Sequence, residues 1–178
     1  SARPPFLGSK LGAICREGIR RSAHPVLRAL ESGERHPDFE ELVETLIYVS
    51  GLAFESGGLS VAHSMIRGLT RIPALSSYLH GEHVAYSTLV QIVLEGSADD
   101  LRDAMEFNSR IGLPVSLRDL GVDPGTVAAA AGEIAAGTMT APYITNFERK
   151  LGARDIADAI LSLEALSGTP RPQTHANT

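Results

Sequence analysis

The sequence predicts an all-α domain, a helical bundle of about seven to nine helices. Three observations predict it. Apolar residues recur at helical spacing over most of the chain. Glycine, serine and proline punctuate those runs where helices would start and stop. No long stretch alternates apolar and polar residues, and no hairpin signal is present. With 178 residues the chain suffices for one domain with a real core. That domain is expected over residues 1–167.

The elements follow in order. A first helix is expected from Leu11 to Leu30, ending at Ser32-Gly33, with Pro25 kinking or splitting it. A second runs from Phe39 to Phe54. Leu42, Leu46, Val49 and Leu52 form its apolar stripe, widened by Ile47 and Tyr48, and Glu40 and Glu41 place acids in its first turn. A third opens at Ser56 and reaches Leu69. The next runs from Gly81 to Leu94 and stops at Gly96. Another, Ala98 to Ile111, has Ser97 as N-cap and Gly112 as its stop. The Ala-rich Thr126–Ala136 and the segment Arg154–Leu166 complete the set. Leu113-Pro114-Val115-Ser116 and Ala141-Pro142-Tyr143 read as connectors. The tail from Gly168 to Thr178 has two prolines and no large apolar residue, and is expected to be disordered.

Composition narrows the function. The formal net charge is -5, apolar residues are 43% and charged residues 21%. The arginines are scattered, which disfavours nucleic acid as a partner. Cys15 is the only cysteine, so neither an internal disulfide nor a CxxC knuckle can form. No run of about 18 uncharged apolar residues suggests a membrane span. Ser1-Ala2-Arg3-Pro4-Pro5 does not read as a secretory signal. A cytoplasmic location is the expectation. HExxH, P-loop, GxGxxG and GxSxG motifs are all missing.

Two histidines stand out by their context. His63 ends Glu55-Ser56-Gly57-Gly58-Leu59-Ser60-Val61-Ala62-His63, and His80 opens His80-Gly81-Glu82-His83-Val84-Ala85-Tyr86. Imidazoles on two helices can supply part of an open metal site. Spacing alone is weak evidence for that, because most histidine pairs are ordinary surface or core residues. His80 and His83 are i and i+3 and could chelate together. The plainer reading makes His83 a solvated residue in a first turn. Ser56-Gly57-Gly58 reads as a helix start, where exposed N–H groups would favour an anion or hydroxyl oxygen, or simply as a tight interhelical turn.

These segments together resemble the metal-binding helical half of the glycerol dehydrogenases, within the iron-containing alcohol dehydrogenase and dehydroquinate synthase-like superfamily. The likeness covers about residues 6 to 167. It is strongest from Ser50-Gly51-Leu52-Ala53-Phe54-Glu55-Ser56-Gly57-Gly58-Leu59 to Thr88-Leu89-Val90-Gln91. It continues through Ile111-Gly112-Leu113-Pro114-Val115 and Leu117-Arg118-Asp119-Leu120-Gly121. The resemblance implies a metal held by two His and one Asp. By position the histidines are His63 and His80. The Asp position falls on Ser9, within Gly8-Ser9-Lys10-Leu11-Gly12, with Lys10 beside it. A neutral serine is a poor ligand, so the resemblance implies a weak or vestigial site, holding Zn or Fe loosely at most. The glycine-rich nucleotide-binding half of the family has no counterpart in these residues, and no NAD binding by this chain alone is expected.

The functional expectation is a repurposed helical domain that binds or transforms a small organic substrate in the former metal and substrate cleft, without NAD-dependent redox chemistry. His63 and His80 are its candidate catalytic residues. Ser9, Ser56, Gly57 and His83 are its candidate substrate contacts. Two alternatives stand beside it. One is a fragment or subunit of a metal- and NAD-dependent polyol dehydrogenase that pairs with a separate nucleotide-binding chain. The other is a non-enzymatic binding or scaffold domain, with homo-oligomerisation as the natural fate of an exposed apolar face.

Overall fold

The computed structural model describes residues 5–167, and among these every regular element is helical. The expected tail, 168–178, lies outside the described residues. Helix α1 spans Phe6–Glu31, five residues earlier at its start than the apolar pattern suggests. Pro5 precedes it and suits a helix start, since its missing N–H would be unpaired there anyway. Pro25 sits inside α1 without dividing it.

The second rod is built from α2 (Phe39–Glu44), a π turn (Thr45–Val49) and α3 (Ser50–Gly57). The π turn overturns the expected apolar stripe. It spreads its bonds over five residues, so the register of everything after it rotates. Leu42 is buried as predicted, but Leu46 is 49% exposed, Tyr48 69% and Leu52 58%. The rod's contact with α1 is made instead by small residues. A Cβ on Gly18 would lie 3.1 Å from Thr45 Oγ1, and one on Gly8 would lie 2.7 Å from Gly57 Cα.

The predicted helix from Ser56 to Leu69 does not exist as one piece. Ser56 and Gly57 end α3, and Gly58 follows at φ +78°, a conformation that favours glycine. Helix then resumes as two single turns, α4 (Val61–Ser64) and α5 (Ile66–Leu69), at 97° to the rod before them. Gly57 and Gly58 therefore terminate a helix, and the Gly58 N–H is already bonded to Phe54 O at 2.8 Å. The anion-binding helix start read from the sequence is not formed there.

Helix α6 (His80–Glu95) is closed by Gly96 in the left-handed region, as its sequence predicts. Helix α7 (Ala98–Arg110) has Ser97 as its N-cap, with Oγ accepting from Asp100 N. Helices α8 (Val127–Thr138) and α9 (Ala153–Ser167) match the two remaining predictions within two residues.

The main core lies between α4, α5, α6, α8 and α9, around Val61, Met65, Leu69, Tyr86, Leu89, Ile134, Ile156 and Ile160. A small second cluster, Ala23, Val26 and Leu42, ties α1 to the rod and reaches Phe107 and Ile111. Helix α5 crosses α8 almost backbone to backbone. A Cβ on Gly68 would fall 2.0 Å from Ile134 O, and one on Gly137 would fall 2.5 Å from Gly68 Cα. No single helix among the described residues is long and apolar enough to cross a membrane.

Candidate functional site

His63 is held by the anchoring of its own short helix. Val61, Met65 and Leu69 are fully buried on the core side. Ala62 N donates to Gln91 Oε1 on α6 at 3.0 Å, and Ser64 Oγ donates to Ser60 O at 2.9 Å. That leaves the His63 ring half-buried, on the side of α4 that meets the start of α6.

His80 is the first residue of α6 and is exposed. Its helix start is fixed by Glu82, whose Oε2 accepts from Leu79 N at 2.7 Å. Deeper along α6, Tyr86 OH donates to Glu164 Oε1 at 2.9 Å, and Leu117 N donates to the same oxygen. This carboxylate locks α6 to α9 and to the connector after α7.

The two imidazoles meet. Their ring centroids are 5.9 Å apart at an interplanar angle of 52°. Burial pushes the His63 pKa below its ordinary value, and the neighbouring His80 adds repulsion in the same direction. The uncharged form of His63, a proton acceptor, is thus favoured down to lower pH than in a free histidine.

The other expected site residues are dispersed. His83 is not solvated: it is 3% exposed, and Nε2 is 3.0 Å from Leu75 O. One turn after His80, it faces the core, and it belongs to the packing of the 3-10 turn Pro73–Leu75 against α6. Ser56 and Gly57 line a cavity of about 460 Å³ that neither His63 nor His80 lines. Ser9 is exposed on the first turns of α1, next to the Gly8–Gly57 contact. Lys10 is also exposed, its Nζ 5.5 Å from the Phe6 ring centroid.

The fit to a metal can be tested on the donor set. Two imidazoles bound tetrahedrally to one zinc ion place their centroids about 5 Å apart, given the usual Zn–N distance. The observed 5.9 Å is close to that. Among the described residues, however, no third His, Cys, Asp or Glu joins the pair. The spacing of the pair suits two donors to one ion, and Ser9, which the resemblance aligns with a third, offers only a hydroxyl.

The polar wall of the cavity was not legible in the sequence. Gln91, Glu95, Asn146 and Glu148 come together from the end of α6 and the segment after α8. No local motif marks them, because their proximity depends on the turn at Gly58 and on the α6 packing.

The architecture is an all-helical domain that brings His63 and His80 together, and comparison with known proteins shows which family shares it. No family model matches the chain. It is 32% identical over 170 residues to glycerol dehydrogenase 1 of Schizosaccharomyces pombe, spanning 94% of this chain and 38% of that protein. It is 37% identical over 121 residues to the glycolaldehyde reductase of Halobacterium salinarum, spanning 67% and 33% respectively. Among solved structures, a probable glycerol dehydrogenase from Sinorhizobium meliloti superposes with a TM-score of 0.84 at 32% identity, over 90% of this chain and 45% of that one. The S. pombe enzyme superposes with a TM-score of 0.83 at 32% identity, over 90% and 41%. The chain belongs to the glycerol dehydrogenase family. It spans less than half the length of these relatives.

Proposed function

We propose that this domain binds a small hydroxy or carbonyl compound at His63 and His80, and that the two imidazoles act on it by proton transfer, without NAD-dependent redox chemistry by these residues. The observation that carries the reading is the imidazole pair itself, 5.9 Å apart, with one member held neutral by burial. A neutral imidazole at the edge of a core is a competent general base near pH 7, and the exposed neighbour is placed to return a proton. Replacement of the family's carboxylate position by Ser9 supports a role that does not depend on a tightly held metal. The relatives' names, glycerol dehydrogenase and glycolaldehyde reductase, point to short polyols and hydroxycarbonyls as the substrate class.

A second reading is favoured by the extent of the likeness. The fold is shared over 90% of this chain, and His63 and His80 stand where the resemblance implies its two histidines. On that reading these residues form the substrate half of a dehydrogenase whose nucleotide-binding half is supplied separately, and any NAD chemistry needs that half. A scaffold role has support from the exposed apolar side chains of α1 and the rod, among them Phe6, Leu7, Ile14, Ile47 and Leu52.

The test is an NMR titration of the imidazole signals with glycerol, dihydroxyacetone and glycolaldehyde, with His63→Ala and His80→Ala as controls. Saturable shifts of both imidazoles, lost in either folded variant, are expected. No shift with any of the three compounds would remove the site from the cleft and promote the scaffold role.

A further inference from the structure

The outer side of α1 and the rod is left open by the fold. Helix α3 packs on α1 and on the π turn, and none of its own residues is buried. Phe6, Leu7 and Ile14 of α1, and Ile47, Tyr48 and Leu52 of the rod, are each more than half exposed. The rod carries no charged side chain from Thr45 to Phe54. Six large apolar side chains so exposed present on the order of 700 Å². That is above the roughly 300–600 Å² of the largest apolar patch on an ordinary monomer. It is close to the ~800 Å² that each partner of a stable interface buries.

The charges along α1 indicate what covers this side. Phe6, Lys10, Ala13, Ile14, Glu17 and Arg21 recur at helical spacing along one side of α1, and all are exposed. Gly8, Cys15, Ser22 and Val26 mark the opposite, buried side. Lys10 and Glu17 are two turns apart, about 10.5 Å along the axis. Among the described residues no ion pair uses either of them. Lys10 lies near the Phe6 ring, and Glu17 attracts Arg21, whose own ion pair is with Glu41. The midpoint between Lys10 and Glu17 falls between Ala13 and Ile14. A two-fold axis there, with two copies of α1 antiparallel, sets Lys10 of each copy against Glu17 of the other. The pairing occurs twice, because in a two-fold contact residue i meets j and j meets i. The small side chain of Ala13 lets the helices approach at the centre. Glu44 and Glu55 flank the apolar run of the rod and disfavour an anionic lipid surface there.

We propose that the outer side of α1 and the rod is the interface of a two-fold dimer of this chain. Phe6, Leu7 and Ile14 form its apolar seam with the rod's Ile47, Tyr48 and Leu52. The reciprocal Lys10–Glu17 pairs set its register. This assignment does not depend on what the histidines do.

Sedimentation velocity of the full chain over a range of concentrations is the test. The parent should sediment as a dimer of two 18.9 kDa chains. Ile14→Asp should abolish the dimer. Lys10→Glu and Glu17→Lys should each weaken it about tenfold, by losing two exposed ion pairs and setting like charges in their place. The two single variants mixed in equal amounts should recover the parent affinity, because each then supplies the charge that the other lacks. The double variant Lys10→Glu/Glu17→Lys should recover it as well. All of these side chains are exposed, so helix content by circular dichroism should not change. The mixing experiment keeps the test open if one variant is less stable. A parent that stays monomeric at every concentration would overturn the dimer, as would one that associates only with a separate nucleotide-binding chain. A dimer indifferent to Ile14→Asp, or charge variants that do not rescue one another, would overturn the α1 seam and its register.

Discussion

Gly68→Ala is the sharpest test of how this domain holds His63. The glycine lies on α5, one turn of chain beyond the helix that carries the imidazole. A methyl group there would sit 2.0 Å from Ile134 O and 2.7 Å from Ile134 C, on the backbone of α8. Ordinary contact begins near 3.4 Å, so α5 and α8 must separate by about 1.4 Å. A side chain in the way could rotate, but a helix backbone cannot. Overpacking of a well-filled core costs about 1–3 kcal/mol, and this case belongs at the upper end. For a domain of this size, about 3 kcal/mol lowers Tm by roughly 6–12 °C. Gly132→Ala is the matched control. It lies on the facing helix, α8, with nothing within 4 Å of the added carbon. It should be neutral or stabilising by up to about 1 kcal/mol, through better helix propensity. Thermal unfolding followed by circular dichroism reads both. A Tm for Gly68→Ala within 2 °C of the parent would refute the close crossing of α5 and α8. Because only Met65 separates α4 from α5, the same variant should also broaden or shift the His63 imidazole signals.

Further outcomes follow from the ionisable groups and from Ser9. His63 has a folded-state pKa below its unfolded value, so the unfolded chain binds more protons in that interval. Stability should therefore fall as pH drops through about 6.5, and His63→Gln should flatten that slope in chemical denaturation curves. Glu164 shows the opposite sign: burial raises its pKa, outweighing the bonds from Leu117 N and Tyr86 OH. It should cost stability as pH rises above its unfolded value, and Glu164→Gln should remove that dependence. Tyr86→Phe deletes the hydroxyl that donates to Glu164 and should cost about 1–2 kcal/mol in urea unfolding at pH 7. Ser9→Asp puts a carboxylate where the resemblance implies one and, if that position faces the histidine pair, should raise zinc affinity at least about tenfold by competition titration. Unchanged affinity would mean that Ser9 does not complete the ligand set.

The helix content was legible because caps and stops are local. Ser97, Gly96 and Gly112 mark ends that the structure reproduces. The meeting of His63 and His80 was legible through resemblance rather than through spacing. What failed was long-range or register-dependent. The π turn at Thr45–Val49 rotates Leu46 and Leu52 toward solvent, and no residue type in that stretch announces it. Ser56-Gly57-Gly58 carries the same glycines whether it opens a helix or ends one. His83 looked solvated because it stands in a first turn, but the fold carries the Leu75 carbonyl to it from eight residues upstream. The α5–α8 crossing depends on Gly68 and Gly137, which are remote in sequence and unremarkable one at a time.

The central claim is that the imidazole pair moves protons on a small hydroxycarbonyl without a bound nicotinamide. Hydrogen–deuterium exchange measures this most directly. Dihydroxyacetone and glycolaldehyde are incubated in D₂O with protein dialysed against a chelator, without NAD, and the carbon-bound protons next to the carbonyl are followed by NMR. Protein-dependent exchange above the buffer rate is expected with at least one of the two, reduced about 10²-fold or more in His63→Ala and also lost in His80→Ala. Exchange at the buffer rate, with turnover appearing only after a nucleotide-binding partner, NAD and zinc are added, would contradict it and establish the chain as the substrate half of a dehydrogenase.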